Sequence, residues 1–472
     1  MKKTDLVRLF VKGGIISPGD FLKTINLAQK LGSSYIHLGS RQDILFPVNK
    51  DTEGLSDVLN ALPTAYDTGM GEFQNIVTSY AALDVMPTSH WLASHTYHHI
   101  LDTFDYNPRL KINITDPVQS LVPLFTGNLN FIASTIDNYW FLYLRFSEID
   151  SKPWCAPELI HGYDLAKIAK SIENRDILSL GIPYQELYIN AKSDLSLNTQ
   201  KIKQELDYPE ATSPYYEGMN RIVDGKYWLG LYWRNNKFNI NFLQALCQLC
   251  LETNIGTISL TPWKSFIVKG IAEKDRLSWE KLLGKFGINM RHSSLELNWH
   301  LPVLDEEAIN LKNYLVRALD KQDISTYGLS FSIKTRHMAL FTSVVIEKNN
   351  QENEKNPDTF NLLYSKDFNP NICEYCYYAK NVPKETLPPL LIELSHKYYE
   401  QLEEDKAPAL MESEKNTTNK HRKYQCSKCL TVYDERYGEP ASDIPPGTSF
   451  MKLSEAYCCP VCESPKAAFR LL

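Results

Sequence analysis

The sequence predicts an α+β protein of several domains, and three observations carry that prediction. Across residues 1–400 strand-like and helix-like patterns mix with no shift in composition. Within that stretch a β-turn-α-β-β order occurs twice, about 222 residues apart, as two related halves would. Beyond a charged segment, 401–421, two Cys-x2-Cys pairs stand on a short tail.

The first copy of the repeat runs from a strand, VRLFVK (7–12), through a turn, GGIISPGD, into a helix, FLKTINLAQKLG. A strand, YIHLG, and the segment RQDILFPV follow. Pro18 with Asp20 marks the helix start, and apolar residues three and four apart give it one buried face. The second copy begins at WLGLYWR (228–234), continues through NNKFNIN and the helix FLQALCQLCLETNI, and closes with GTISLT and PWKSFIVKGI. A polar insert, EKNNQENEKNPD (347–358), reads as a solvated loop between the strands FTSVVI and FNLLYS. From Gln401 to His421 the chain is charged and poor in apolar residues, the composition of a linker.

Composition narrows the function. A net charge of −6 with pI near 6 argues against a nucleic-acid binder, which carries a basic surplus. No apolar run approaches the length that crosses a bilayer, so membrane insertion is not expected. The start, MKKTDLVRLFVKGG, has too short an apolar core and no small-residue cleavage site for a signal peptide. A cytoplasmic protein is expected, whose ten cysteines serve as thiols or metal ligands rather than disulfides.

Cys426 and Cys429 form one ligand pair, Cys459 and Cys462 the other. Four thiolates suit a tetrahedral site, and the ligand set alone does not choose between iron and zinc. The residues around them do. YQCSKCLTVYDERYGEPASDIPPGTSFMKLSEAYCCPVC resembles rubredoxin throughout, with Tyr433-Asp434, Gly438, Pro440, Ile444-x-Pro446-Gly447-Thr448-x-Phe450, Leu453 and Cys459-Pro460-x-Cys462. A zinc ribbon has no reason to repeat these landmarks. The resemblance covers about 423–472 and implies one iron cycling between Fe3+ and Fe2+, wrapped by Tyr424, Tyr433, Phe450 and Phe469. Two departures stand out: Leu430 and Glu463 occupy places where the family has glycine, and Tyr457 one where tryptophan is common. Left-handed backbone there costs a non-glycine residue about 1–2 kcal/mol. Cys458, beside Cys459, reads as a bystander.

The large part, through GSRQDILFP, resembles the paired ferredoxin-like half-domains of sirohaem nitrite and sulfite reductases. That likeness implies a first half-domain over 1–50 and an α/β domain over 51–224. It then implies a second half-domain over 225–275, a second α/β domain over 276–400, the 401–421 linker and the rubredoxin domain over 422–472. Ser40-Arg41-Gln42 keeps the Arg-Gln of the family tripeptide whose arginine faces the haem and its anion. YNPRLKINITDPVQSLVPLFTGNLNFIAS (106–134) is similar to the family's basic segment, with Arg109 and Lys111 in the lysine places. The resemblance therefore implies that Arg41, Arg109 and Lys111 converge on a pocket for an oxyanion or tetrapyrrole carboxylates. The plainer alternative sets Arg109 and Lys111 on an exposed strand face. The family's Cys-x5-Cys and Cys-x3-Cys, which hold a [4Fe–4S] cluster, have no counterpart: 287–346 contains no cysteine, and SIKTRH (332–337) stands where the last pair belongs. No [4Fe–4S] cluster is expected, and sirohaem or another haem is left as an open question that this loss argues against.

Other thiols and imidazoles read as structure first. Cys373 and Cys376 form a lone Cys-x2-Cys, a surface turn with free thiols or, alternatively, a redox pair. Cys247 and Cys250 lie three apart on the second helix and read as core, and Cys155 stands alone. His95, His98 and His99 cluster, and His337 falls near the lost ligand, where an imidazole could hold a haem iron.

The function these features favour is one-electron transfer by a rubredoxin on a nitrite/sulfite reductase-like scaffold, serving assimilatory nitrate, nitrite or sulfite reduction. Its partners would be a redox protein donor and acceptor, such as an assimilatory reductase. The alternative is a haem-dependent reductase or oxygenase with a non-cysteine iron ligand, fed by its own rubredoxin. The Thr261-Pro262-Trp263-Lys264 ending, similar to that of precorrin oxygenases, points that way. A catalytically silent regulatory scaffold is the third reading.

Overall fold

The repeat seen in the sequence is a repeat in space. The computed structural model describes residues 5–49, 54–68, 71–146, 152–175, 183–209, 213–222, 225–288, 298–336, 338–349, 358–416, 422–439, 442 and 444–471. The chain divides into two compact units, 1–395 and 396–472.

In the first unit one copy comprises the strands Asp5–Leu9 and Ile15–Ile16, the helix Pro18–Lys30, and the strands Tyr35–Leu38 and Ile44–Val48. The other comprises Tyr227–Tyr232, Phe238–Asn239, the helix Ile240–Glu252, Ile258–Leu260 and Ser265–Ile271. Each helix opens on a side-chain cap: Ser17 Oγ accepts the Asp20 N–H at 3.0 Å, and Asn239 Oδ1 the Phe242 N–H at 3.2 Å. Before each helix lies a left-handed pair, Gly13-Gly14 in the first copy and Asn235-Asn236 in the second, residue types that reach this region most cheaply. Gln42 and Lys264, at matching places after the third strand, also share φ 57°.

The copies exchange strands. Phe238–Asn239 of the second copy pairs with Tyr35–Leu38 of the first, and Ile15–Ile16 of the first pairs with Ile258–Leu260 of the second. Each five-stranded sheet takes one further strand, Tyr66–Asp67 in the first and Gly218–Arg221 in the second, beyond the 1–50 and 225–275 spans expected for the half-domains. The two long helices lie together, Gln244 Nε2 donating to Asn26 Oδ1 at 2.8 Å and to Gln29 Oε1 at 2.9 Å. One apolar core takes Phe21, Ile25 and Ala28 from one helix and Leu243, Leu246, Cys247 and Cys250 from the other. Cys247 and Cys250 are therefore core residues; burial raises both thiols, Cys250 to about 12.

The α/β regions repeat as well. Val77–Thr78, Ile112–Thr115 and Leu129–Ala133 run parallel, and Tyr139–Leu144 and then Glu158–His161 continue the sheet antiparallel. Trp299–His300, Phe331–Lys334 and Val344–Lys348 are likewise parallel, followed by Thr359–Ser365 and Tyr375–Pro383 antiparallel. The SIKTRH stretch thus begins on a central parallel strand; His337 and residues 350–357 of the polar insert lie outside the described residues.

Residues 401–416, a linker by composition, continue a helix that spans Leu387–Asn416. Twelve of those sixteen residues are Gln, Leu, Glu, Lys, Ala or Met, strong helix formers whether or not they are apolar; Asp405, Pro408, Ser413 and Asn416 are the others. The second unit holds a three-stranded antiparallel sheet in the order Val432–Asp434, Lys423–Cys426, Phe469–Leu471. Among the described residues no helix is long and apolar enough to cross a membrane.

Candidate metal centre

Two tight turns of the second unit present the four cysteines. After Cys426 the Leu430 N–H returns to the Cys426 carbonyl at 2.9 Å, and the Cys426 N–H donates to Thr431 O at 2.8 Å. After Cys459 the pattern recurs, Glu463 N–H to Cys459 O at 2.9 Å and Cys459 N–H to Ser464 O at 2.8 Å. Leu430 and Glu463 hold φ of 63° and 55°, so both turns are built in the left-handed form despite lacking glycine. Where no side chain can fit, glycine is kept: at Gly438 (φ 65°) a Cβ would stand 2.4 Å from the Ile444 carbonyl oxygen.

The turns face each other. Cys426 Sγ lies 3.6 Å from Cys462 Sγ, Cys429 Sγ lies 3.4 Å from Cys459 Sγ, and all four sulfurs fall within 4.8 Å of one another. A tetrahedral site with metal–sulfur bonds of about 2.3 Å has edges of about 3.8 Å, so the cage fits a single iron or zinc ion. Cys426 and Cys459 are buried, Cys429 half-buried and Cys462 exposed, which gives the cage one face toward solvent. The backbone amides of Cys429 and Lys428 draw the Cys426 thiol down to about 6, into the thiolate form a metal requires.

An aromatic shell closes the inner side. Phe450 stacks on Tyr424 with ring centroids 4.2 Å apart, and meets Tyr433, Tyr457 and Phe469 at 5.5, 6.0 and 5.2 Å. Buried Glu435 ties the loop beneath it, accepting from Phe450 N–H at 2.8 Å, Ser449 Oγ at 2.9 Å and Arg422 N–H at 2.9 Å. Cys458 is exposed and points to the Ala456 carbonyl, apart from the cage residues. Missed in the sequence are two hydroxyls at the cage itself: Thr431 Oγ1 lies 3.1 Å from Cys429 Sγ, and Ser464 Oγ 3.1 Å from Cys462 Sγ. Their placement two residues after a ligand was the signal that could have found them.

In the first unit Arg41 is buried and serves the fold, donating to Asn113 Oδ1 at 2.6 Å, Asn75 O at 2.7 Å and Ile112 O at 2.8 Å. Gln42 beside it bonds Thr78 O and Leu260 O, both at 2.9 Å, joining the two repeats. Arg109 is exposed and ion-paired to Glu173 at 3.6 Å, while Lys111 is half-buried, its N–H bonded to Asn128 Oδ1. Cys373 is buried rather than on a surface turn, with φ 60° and its thiol raised by burial to about 11; Cys376 is exposed on the next strand. His95, His98 and His99 are exposed on the helix Ser94–Thr103; His98 packs on Tyr80 and His99 on Tyr163. Among the described residues, the four cysteines form the metal-competent group of three or more histidine, cysteine or acidic side chains.

Four thiolates at tetrahedral spacing inside an aromatic shell define a mononuclear metal–sulfur module of the electron-carrying kind, joined to an internally repeated α+β body. The rubredoxin family pattern matches residues 423–469, and that of the nitrite/sulfite reductase ferredoxin-like half domain matches residues 1–62. A probable rubredoxin of Methanothermobacter thermautotrophicus is 40% identical over 58 residues, 12% of this chain and 92% of that protein. Probable Rubredoxin-2 of Methanocaldococcus jannaschii is 52% identical over 48 residues, 10% of this chain and 86% of its own length. The high molecular weight rubredoxin of Moorella thermoacetica is 49% identical over 47 residues, 10% of this chain and 20% of that protein. Through its C-terminal segment the chain belongs to the rubredoxin family. The body shares its fold with the structure of Mycobacterium tuberculosis NirA protein, at a TM-score of 0.62 and 13% identity over 82% of this chain and 79% of that one.

Proposed function

We propose that the chain is a one-electron carrier whose C-terminal iron, cycling between Fe3+ and Fe2+, serves assimilatory reduction of nitrate, nitrite or sulfite. The observation that carries this reading is the four-sulfur cage, with two sulfurs buried under aromatic rings and two toward solvent. When bound, the iron supplies the redox change; the chain's residues hold it, exclude water on one side and leave the other open to a partner. The reductase-like body suggests the setting, and a soluble redox protein as donor and another as acceptor complete the scheme in the cytoplasm. A pocket for an oxyanion or tetrapyrrole carboxylates at Arg41, Arg109 and Lys111 would have to draw Arg41 from three oxygens of the fold and Arg109 from Glu173. The test is metal and haem analysis of protein from its native host, with a visible spectrum. The expected result is iron with sulfur-to-iron charge-transfer bands and no Soret band. A Soret band together with turnover of nitrite or sulfite would favour the haem enzyme instead.

A further inference from the structure

The two solvent-side sulfurs are each met by a hydroxyl, and the arrangement is the same in both turns. Thr431 follows ligand Cys429 by two residues and Ser464 follows ligand Cys462 by two, and each oxygen is 3.1 Å from its sulfur. A metal-bound thiolate has no proton to give, so in both contacts the hydroxyl donates. The same two residues also accept, through their carbonyls, the N–H of the buried ligand in each turn, Cys426 and Cys459, at 2.8 Å. Their backbones are thereby pinned, and both side chains are half-buried, so the hydroxyls are held against the sulfurs rather than free in water.

We propose that Thr431 and Ser464 set the reduction potential of the centre by donating O–H···S bonds to Cys429 and Cys462, a deepening that rests on the one-electron reading above. One-electron reduction adds a full negative charge to the cage without a proton, and the added density resides partly on the sulfurs. A hydrogen bond to a charged acceptor strengthens as that charge grows, so both hydroxyls favour the reduced form. They lie on the sulfurs toward solvent, where water would otherwise supply a less ordered bond. The two residues are therefore positioning and tuning residues, acting through the ligands.

The experiment is a redox titration of the full-length, iron-loaded protein followed in the visible, on the wild type and on Thr431→Val, Ser464→Ala and the double variant. Each single substitution should lower the equilibrium constant for reduction several-fold, and the double by about the product. A tenfold loss in the double variant corresponds to about 59 mV. The charge-transfer bands should move, since their energy reports electron density on sulfur. Thr431→Ser and Ser464→Thr keep the hydroxyl and should retain the wild-type potential, and they carry the test if the apolar variants fail to load iron. Unchanged potentials in the apolar variants, or equal shifts in the hydroxyl-keeping ones, would overturn the proposal. A wild type with no reversible one-electron change would instead defeat the reading beneath it, and the two failures are distinct.

Discussion

Lys264 offers a quantitative test of how the body is built. It sits where the first repeat has Gln42, is buried, and gives its amine to the Leu301 carbonyl. Burial lowers it from 10.5 to about 7, Arg336 and Lys312 push the same way, and Asp43 opposes them. Buried His300 and His37 face it too: burial and then the Lys264 charge lower His300, while burial lowers His37 against the Asn236 carbonyl, with Lys237 and Lys264 adding to the effect of burial. Between about pH 7 and 10.5 the unfolded chain carries a proton on Lys264 that the folded chain lacks, so stability climbs with pH across that window. Below it both states are protonated and the cost is full. At about 1.36 kcal/mol per pH unit the cost reaches at most about 5 kcal/mol. Lys264→Met removes it and leaves the Leu301 carbonyl without its donor, a loss of about 1–3 kcal/mol. The variant should thus be more stable than the wild type by about 2–4 kcal/mol at pH 7, and less stable by about 1–3 kcal/mol near pH 10.5. All eight tryptophans fall between Trp91 and Trp299, so urea unfolding followed by tryptophan fluorescence reads the body without interference from the metal unit. Parallel stability curves for the two proteins from pH 6.5 to 10.5 would refute the reasoning.

Three further outcomes follow from the packing. Phe450→Ala removes the ring that four aromatic neighbours meet, and should cost the metal unit about 3–5 kcal/mol, read as loss of visible absorbance at a lower temperature. Glu435→Ala should cost about 2–4 kcal/mol by the same readout, since it strips three donors of their acceptor. Burial pushes the Glu435 carboxyl up, but the Arg422 and Phe450 amides outweigh it and leave it lowered, so its contribution is present above pH 4.5 and lost as acid is added; the variant should lack that acid dependence. Gln42→Ala breaks the bonds to Thr78 and Leu260 and should cost the body about 2–3 kcal/mol of stability, read as a lower fluorescence-detected urea midpoint, with the iron spectrum unchanged.

The parts of this molecule that were legible in the sequence are those written in local spacing. Cys-x2-Cys, Tyr433-Asp434 and Pro446-Gly447-Thr448 fix a metal turn and its loop by adjacency alone, and Pro18 with Asp20 marks the start of a helix that runs from Pro18 to Lys30. The strand exchange was not legible, because two-residue strands such as Ile15–Ile16 carry no pattern and their partners lie more than two hundred residues away. Arg41 shows the same limit for a site: the chain reveals a cation but not the three oxygens that claim it. Cys373 read as part of a surface turn because two thiols do not complete a metal site, whereas its left-handed turn folds the sulfur inward against the core around Phe125 and Tyr143. Residues 401–416 read as a tether because apolar content was weighed above helix propensity.

The most direct test of the central claim is a stoichiometric reductive titration of iron-containing protein from its native host, counting electrons per chain as the visible bands fade. The account predicts one iron per chain, bleaching complete at one electron, and full return of colour on reoxidation. Colourless protein holding zinc, or iron that takes up no electron reversibly, would contradict it.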